Sequence, residues 1–556
     1  MSKKLILAAA IGNCVHVAGA MHFLNLAADE GYDTLFLGPA VEIPQLLRQV
    51  EQHRPYLVSV GYRLTPENVV PLVRQLRQGA ERLTCKPRWV FAGTRPVAEL
   101  ARGEHFFDKI FDGTEDLDDC IAFLRGIDRP AELNEGAQTL AARINQKRPY
   151  PLLRHHFGLP SFAETEAGIR AISSASVLDV ISLGPDQNTQ QYFFEPGRRD
   201  PALEGAGGVP VRTADEFRRL KAASQTGNRP LMRCYSGTAD VMRFAQVLHD
   251  TIDNAWCAVP LCWYNELDGR GTRPLETSIA EAQRLMAWHG ERGIPVEVNE
   301  PHHWGLRDAH DVISVAMAYI SARNAKRFGV RHYVAQYMFN IPGSMSFSMD
   351  LAKVLAQVEL TESLASPDFV IWRETRAGLP FLSADLDVAK GQLAASTMLQ
   401  MAIHPHIIHV VGYSEAEHAA TPDVVIESCR IVRGVIRSTL YGNARAASDT
   451  DVQRRRVELV REARTLLQFI ERSYPASEDP LTDPAVLADC IRRGILDAPH
   501  ILKNDKYRGI LRTRMQNGAC VAYDEAAGRP LSETERFAAL EAHGNLAGLT
   551  RRLDAV

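Results

Sequence analysis

The chain has no CxxC pair among its nine cysteines, no apolar run of 18 residues, and no marked excess of either charge. Each shortage excludes something. The cysteines, at 14, 85, 120, 234, 257, 262, 429, 490 and 520, are odd in number and widely spaced, which argues against a disulfide framework. A reducing cytoplasm is the natural setting. Without a long apolar run there is no membrane span. A net charge of −4 over 556 residues gives no sign of the basic patch that marks a nucleic-acid partner. There is also no internal repeat and no low-complexity tract. What remains is 46% hydrophobic and 23% charged, ordinary for a globular protein. The chain is long enough for two or three domains.

The start of the chain admits two readings. Met1-Ser2-Lys3-Lys4 followed by Leu5–Ala10 has the charged start and apolar run of a secretion signal. The alternative is a buried first strand, favoured because strand and helix periodicity continues unbroken to residue 125. Strands are expected at Lys4–Ile11, Thr34–Leu37, Tyr56–Val60, Arg88–Phe91 and Lys109–Phe111. Helices are expected at Gly19–Glu30, Pro44–Gln52, Pro66–Gln78 and Leu117–Leu124. Such alternation implies a parallel sheet covered on both faces, with ligands beyond the carboxyl ends of its strands.

Residues 126–150 are polar and weakly periodic and read as a linker. Alternation resumes on a larger scale, with strands at Val177–Ser182, Pro230–Cys234, Ala258–Trp263, Ile294–Asn299, Tyr333–Tyr337, Phe369–Trp372 and Ile407–Val411. Helices such as Ser278–Arg292, His310–Lys326 and Ala389–Ala402 lie between them. Roughly 300 residues of repeated βα units is the size of a (β/α)8 barrel. The expected class is therefore α/β: a doubly wound, flavodoxin-like domain over 1–125, a linker over 126–150, and a TIM barrel over 151–446. A helical and turn-rich lobe over 447–556 follows, opening with the charged run Asp451–Ser473.

The loop Gly12-Asn13-Cys14-Val15-His16-Val17-Ala18-Gly19 joins the first strand to the first helix. A histidine followed by glycine there suits a metal or cofactor approaching the backbone, although a lone histidine is more often solvated or capping. His16-x-x-Gly19 matches the end of the Asp-x-His-x-x-Gly signature of cobalamin-binding domains, which the first domain resembles. Ser59 stands where that family places a serine lining the nucleotide tail. Gly93-Thr94 replaces the family's Gly-Gly, and Gly113-Thr114 recurs at the next strand end. The resemblance implies base-off cobalamin with His16 as the cobalt ligand. One departure is Cys14, where the family has an aspartate that tunes the histidine through its other nitrogen. Cysteine is a poor substitute, so His16 is expected to be a weaker or differently tuned ligand. Asn13 is one residue out of place for the aspartate's task.

The rest of the chain resembles the large subunit of glutamate mutase (methylaspartate mutase), with the cobalamin-binding small subunit fused ahead of it. The matching stretches are Met232–Asp240, Trp263-Tyr264-Asn265, Pro274–Ser278, Asn299-Glu300-Pro301, Gly494–Asn504 and Gly518–Val521. The resemblance implies an adenosylcobalamin-dependent isomerase that rearranges the carbon skeleton of a small-molecule amino-acid substrate by radical chemistry. Analogy with that family suggests a homodimer. Of the three arginines that grip glutamate's carboxylates there, Arg233 alone matches by motif; the other positions hold Ser161 and Gln190. The family's ammonium-binding glutamate falls near Ala258. Tyr264 is retained, Asp268 stands near a second family tyrosine, Glu415 matches a ribose-contacting glutamate, and Val411 replaces a lysine. These losses point to a substrate other than glutamate, with Arg170, Arg198 or Arg199 as candidate replacements. They also leave open a cobalamin-binding sensor or carrier without mutase activity. A corrinoid methyltransferase fits less well, because such proteins usually place a helical bundle before the cobalamin domain.

Three further groups stand outside the resemblance. His404, His406 and His409 have metal-like spacing but read as structural, since alternate strand residues face opposite sides. His302-His303, at a strand end, could line the barrel mouth. Arg454-Arg455-Arg456 reads as a solvated helix face.

Overall fold

The structure, a computed structural model, describes residues 4–115, 117–126, 137–440, 446–503, 506–507 and 510–549. Parts of the expected linker (127–136) and of the boundary before the last lobe (441–445), together with Met1–Lys3 and Asn504, lie outside them. The chain separates into two compact units, Met1–Leu133 and Asn134–Val556.

In the first unit, β1 (Leu5–Ala10), α1 (Ala18–Asp29), β2 (Asp33–Phe36), α2 (Ile43–His53) and β3 (Leu57–Tyr62) are followed by α3 (Val69–Ala80). Then come β4 (Arg88–Gly93), α4 (Arg95–Gly103), β5 (Lys109–Phe111) and α5 (Leu117–Leu124). The five strands are parallel in the order β2-β1-β3-β4-β5, the flavodoxin-like arrangement. Alternation decides the faces. Leu7, Ala9, Val58, Val60, Trp89 and Phe91 pack under Leu46 and Val50 of α2, Val73 and Leu76 of α3, and Val97 and Ala101 of α4. Ile6, Ala8, Leu57 and Val90 pack under Phe23, Leu24 and Ala27 of α1 and Leu124 of α5. The helix α4 went unrecognised in the sequence, where its nine residues carry only Val97, Ala98, Leu100 and Ala101 as apolar positions.

In the second unit, α6 (Leu140–Lys147) precedes eight parallel strands: β6 (Leu152–Phe157), β7 (Val180–Leu183), β8 (Leu231–Cys234), β9 (Cys257–Val259), β10 (Val296–Val298), β11 (His332–Phe339), β12 (Val370–Ala377) and β13 (Ile407–His409). Their order is β8-β7-β6-β13-β12-β11-β10-β9, and a parallel bridge from Tyr235 to Ala258 joins the two ends. This is a TIM barrel. Outward residues such as Leu153, Phe157, Ile181, Met232 and Ile408 meet the surrounding helices.

The expected linker is a correction, because it contains α6. Thr139 caps this helix by accepting from the Ala142 amide, and its Leu140 and Ile144 are buried against Leu152, Val180, Leu231, Trp256, Val334, Trp372 and Ile407. Those residues stand at or near the amino ends of seven strands, so α6 closes the bottom of the barrel. Its polar residues hid this role in the sequence.

The helix Thr450–Ser473 buries Leu459, Ala463, Leu466 and Ile470 in the same core as Val315 and Val354 of the barrel helices. Its arginines are not simply a solvated face. Arg455 pairs with buried Asp311 at 3.0 Å, and Arg456 pairs with Glu359. A small antiparallel sheet, β14 (Thr513–Gln516), β15 (Ala519–Asp524) and β16 (Arg529–Pro530), follows. No helix among the described residues is long and apolar enough to cross a membrane.

Candidate functional site

The loop after β1 sits at the switch point of the first sheet, where β1 is flanked by β2 on one side and β3 on the other. Gly12 is required by its backbone: φ is +66°, and a Cβ would lie 2.7 Å from Leu72. Beyond it the loop turns outward. Val15, His16, Ala18 and Gly19 are exposed, while Cys14 is fully buried. Cys14 Sγ lies 3.8 Å from His16 Nδ1, whereas Asn13 is met instead by the Tyr62 hydroxyl at 3.5 Å. A thiol at that distance accepts an Nδ1–H weakly, and that tautomer leaves the Nε2 lone pair free for a metal.

The other residues expected to hold a cofactor divide into two groups. Gly19 and Ser59 are compatible with a guest. A Cβ at Gly19 would meet nothing within 4 Å. Ser59 is the third of six residues in β3 rather than its last, because the strand continues through Gly61 to Tyr62. It is buried on the α1/α5 side in register with Ala8 and Val90. Two residues on, Ala10, Gly61 and Ala92 form a row of small residues on that side, and no side chain lies within 4 Å of a Cβ built on Gly61. This row is a notch a flat group could enter.

Gly93, Thr94, Gly113 and Thr114 already have structural reasons. A Cβ on Gly93 would lie 2.9 Å from both Phe91 and the Tyr62 carbonyl oxygen. Thr94 is the N-cap position of α4, without a side-chain capping bond. Gly113 has φ +87°, and Thr114 donates to Asp112 through its amide (3.1 Å) and hydroxyl (2.5 Å). The Thr114 hydroxyl, then Arg102, holds the Asp112 carboxyl down to about 2.

The barrel carries a cavity of about 450 Å³ at the carboxyl ends of its strands, with Gly158, Gly184, Leu379 and Ala420 from the following loops at its rim. Arg233, Tyr264 and Glu415 all line it, and so does Gln190. The floor is a layer of buried charge where barrels usually carry branched apolar side chains. Arg154 Nε donates to Glu374 at 2.5 Å, and Arg233 lies 3.2 Å from Glu297. Glu297 also accepts from Trp256 (2.8 Å) and Gln336 (2.8 Å). Burial pushes Glu374 upward against the pull of Arg154. Arg233 is thus committed to the floor, with its Nε unpartnered and Trp256 beneath it at 4.9 Å.

Above the floor stands a wall of imidazoles and phenols. His156 accepts from Arg154 at 2.7 Å and lies 2.7 Å from the Tyr235 hydroxyl. With Nε2 occupied by that bond, Nδ1–H points at Tyr235 and frees the phenol proton for the cavity. Burial lifts Tyr235 to about 12, so it stays a donor. His156, His302, His303 and His409 are held well below the usual imidazole range, first by burial and then by neighbouring positive groups. They are neutral near pH 7. His302 Nδ1, His303 Nε2 and His409 Nδ1 have no hydrogen-bond partner among the described residues. Tyr264 holds a positive φ of +65°, rare for a bulky residue, and its ring meets His303 at 5.4 Å.

The remaining sequence candidates fall elsewhere. Ser161 caps the helix Phe162–Ser174, and Ala258 is buried in β9. Asp268 pairs with Arg307 at 3.3 Å, and Val411 is buried. Arg170, Arg198 and Arg199 are not among the lining residues, so none replaces the missing arginines. Arg198 pairs with Glu195, and Arg199 donates to the Tyr192 and Phe193 carbonyls. His404 lies outside the lining, and His406 accepts from the Arg373 amide. Among the described residues no group of three or more metal-ligating side chains is assembled. His302 and His303 do line the mouth, and His409 joins them.

Sequence reasoning missed Arg154, His155, His156, Tyr235, Glu297, Gln336 and Arg376. Three of these stand on β6, where Arg154-His155-His156 interrupts the apolar run and no strand is expected. The available signal was alternation: Leu153 and Phe157 face the helices, while Arg154 and His156 face inward.

No protein-family model matches the chain, and no curated protein sequence does. It is similar to a solved cobalamin-binding protein from Desulfitobacterium hafniense, at 15% identity over 20% of this chain and 53% of that one, with a TM-score of 0.17. It is similar to the radical S-adenosylmethionine methyltransferase TsrM from Kitasatospora setae, at 13% identity over 72% of each chain and a TM-score of 0.18. It is also similar to the cobalamin-dependent S-adenosylmethionine radical enzyme OxsB, at 12% identity over 79% of this chain and 56% of that one, with a TM-score of 0.19. The chain thus spans little more than half the length of the first and third of these. At such identities and TM-scores the likeness carries no argument for ligand or reaction.

Proposed function

We propose that the chain is an adenosylcobalamin-dependent carbon-skeleton mutase of the glutamate mutase type, acting on an amino acid other than glutamate. The observation that carries this reading is convergence. Arg233, Tyr264 and Glu415, chosen from three separate strand ends of the sequence, line one polar cavity at the catalytic end of a TIM barrel. In the first unit His16, Gly19, Ser59 and the small-residue row fit a cobalamin. The ligand histidine is exposed with its Nδ1 side toward Cys14, and the notch offers bare backbone where side chains would obstruct a flat group.

When bound, the cofactor supplies a cobalt–carbon bond weak enough to start radical chemistry. The chain's own residues do the rest of the work. The neutralised Arg–Glu floor holds the wall rigid, Tyr235 presents a hydroxyl proton backed by His156, and Tyr264 and His303 form one side of the pocket. Carboxyl-end loops and the closed bottom limit water, which protects a reactive intermediate.

A second reading, a cobalamin-binding sensor or carrier, is favoured by one observation: Arg233 is already paired with Glu297. One experiment separates the two. The full chain is incubated anaerobically with adenosylcobalamin and a panel of small amino acids, glutamate and 3-methylaspartate. A substrate-dependent organic-radical EPR signal is expected with a neutral amino acid. Cobalamin binding with no such signal from any member would leave the sensor or carrier.

A further inference from the structure

The three arginines of the cavity are not equivalent. Arg154 and Arg233 each face a buried glutamate. Arg376, on β12 beside His409 of β13, has no carboxylate within 4.0 Å among the described residues. Among the described residues its side chain makes a long hydrogen bond, from Nε to the Ala377 carbonyl at 3.4 Å. The remaining donors of a half-buried guanidinium therefore face a cavity whose nearest walls are neutral imidazoles and phenols. Its charge reaches Tyr235, His302, His409 and Glu415. A partly desolvated cation whose nearest carboxylates among the described residues lie beyond 4.0 Å is poorly compensated, and a carboxylate in the cavity would supply a closer counter-charge in bidentate geometry.

Glu415 is its complement. Both of its side-chain contacts, the Gly412 amide at 2.7 Å and His155 Nε2 at 3.3 Å, fall on Oε1, leaving Oε2 without a partner among the described residues. Burial acts to raise Glu415, but His155, the Gly412 amide and Arg376 together hold it below the usual range, so it is ionised. The cavity therefore offers one uncommitted positive group and one uncommitted negative oxygen, on adjacent strand ends, and no further free cation among its lining residues.

We infer that Arg376 and Glu415 read the carboxylate and the ammonium of an α-amino acid whose side chain is uncharged. This deepens the proposed function, on which the amino-acid class rests; it moves the carboxylate anchor from Arg233 to Arg376 and gives Glu415 the substrate ammonium in place of the adenosyl ribose that the resemblance implies. Tyr235, His302 and His303 then surround the side chain with neutral groups, and a second carboxylate has no cation left to meet it.

The test is calorimetric binding to the full chain without cobalamin, using L-alanine, L-valine, L-leucine, 4-methylpentanoate and L-glutamate as probes. At least one neutral amino acid should bind more tightly than L-glutamate, and L-leucine more tightly than its des-amino analogue 4-methylpentanoate. Arg376→Gln should weaken the binding of both about 10- to 100-fold, with Arg376→Lys intermediate. Glu415→Gln should reduce L-leucine to the level of 4-methylpentanoate and leave the latter unchanged. Wild-type thermal melting in each variant excludes misfolding. Unchanged binding in Arg376→Gln, tighter binding of glutamate than of every neutral probe, or no binding by any probe overturns the inference. Because cobalamin is absent, intact amino-acid binding without a radical signal defeats the mutase reading alone, whereas a radical signal with Arg376-independent binding defeats this one alone.

Discussion

The two units solve opposite problems at the carboxyl ends of their parallel sheets. Around His16 the first unit withdraws its side chains: glycine, alanine and an exposed loop leave backbone open, and Asp112, beyond β5, is taken up by Arg102 and its own loop. The barrel instead fills its interior with charge and imidazole and then neutralises nearly all of it. A large rigid guest is best received by a surface that yields space, whereas a small polar guest is best received by groups fixed before it arrives.

The comparison is most directly broken at the floor of the barrel. Glu297 holds Arg233, Gln336 and Trp256 with essentially no exposure to solvent. Removing it as Glu297→Ala leaves a buried guanidinium uncompensated and should cost about 3–5 kcal/mol of stability, read by chemical denaturation. The exposed side chains of the His16 loop should cost far less to remove. His16→Ala, at an exposed position, should leave the melting temperature unchanged yet abolish the shift of bound cobalamin to the base-off/His-on spectrum. Identical spectra for wild type and variant would remove His16 as the ligand.

Two glycines sharpen the same contrast within the first unit. Gly93→Ala drives a Cβ into Phe91 and the Tyr62 carbonyl and should destabilise by about 1–3 kcal/mol. Gly19→Ala meets nothing and lies in a helix, so it should stabilise the fold by about 0.5–1 kcal/mol while weakening cobalamin binding. Unweakened binding would mean that Gly19 does not face the cofactor.

The smallest effect concerns pH. Burial lifts Glu300 to about 7, against the three donors Leu261, Cys262 and Trp304. A folded-state value above the unfolded one adds stability that is complete at low pH and lost as pH rises through about 7. The melting temperature of wild type should therefore fall relative to Glu300→Gln between pH 5 and 8. Asp112, held at about 2, has finished titrating well below that window, so its contribution is constant across it. A flat difference profile would show Glu300 to be ionised throughout.

Much of this organisation was legible in the sequence, for reasons that differ between the units. Strands such as Leu5–Ala10 declared themselves as continuous apolar runs covered on both faces, and helices such as Ile43–His53 by a single apolar face. The barrel's inner face is polar, so β6 was invisible, and with it Arg154 and His156. Helix α6 was read as linker for the same reason: its fully buried apolar residues are Leu140 and Ile144, one turn apart, beside a buried Arg143. The resemblance pointed to Arg233, Tyr264 and Glu415, which share one cavity, but gave Arg233 its role without Glu297, which lies 64 residues further along the chain. Pairing of charges across a barrel is a property of closure, and no local pattern encodes it.

Helix α6 also makes the barrel a vessel with one door. Leu140, Ile144 and Trp256 stopper the end away from the cavity, so whatever enters past Gly158, Gly184 and Leu379 must leave by the same opening. Arrival and departure then compete for a single passage, and one guest must leave before the next can enter.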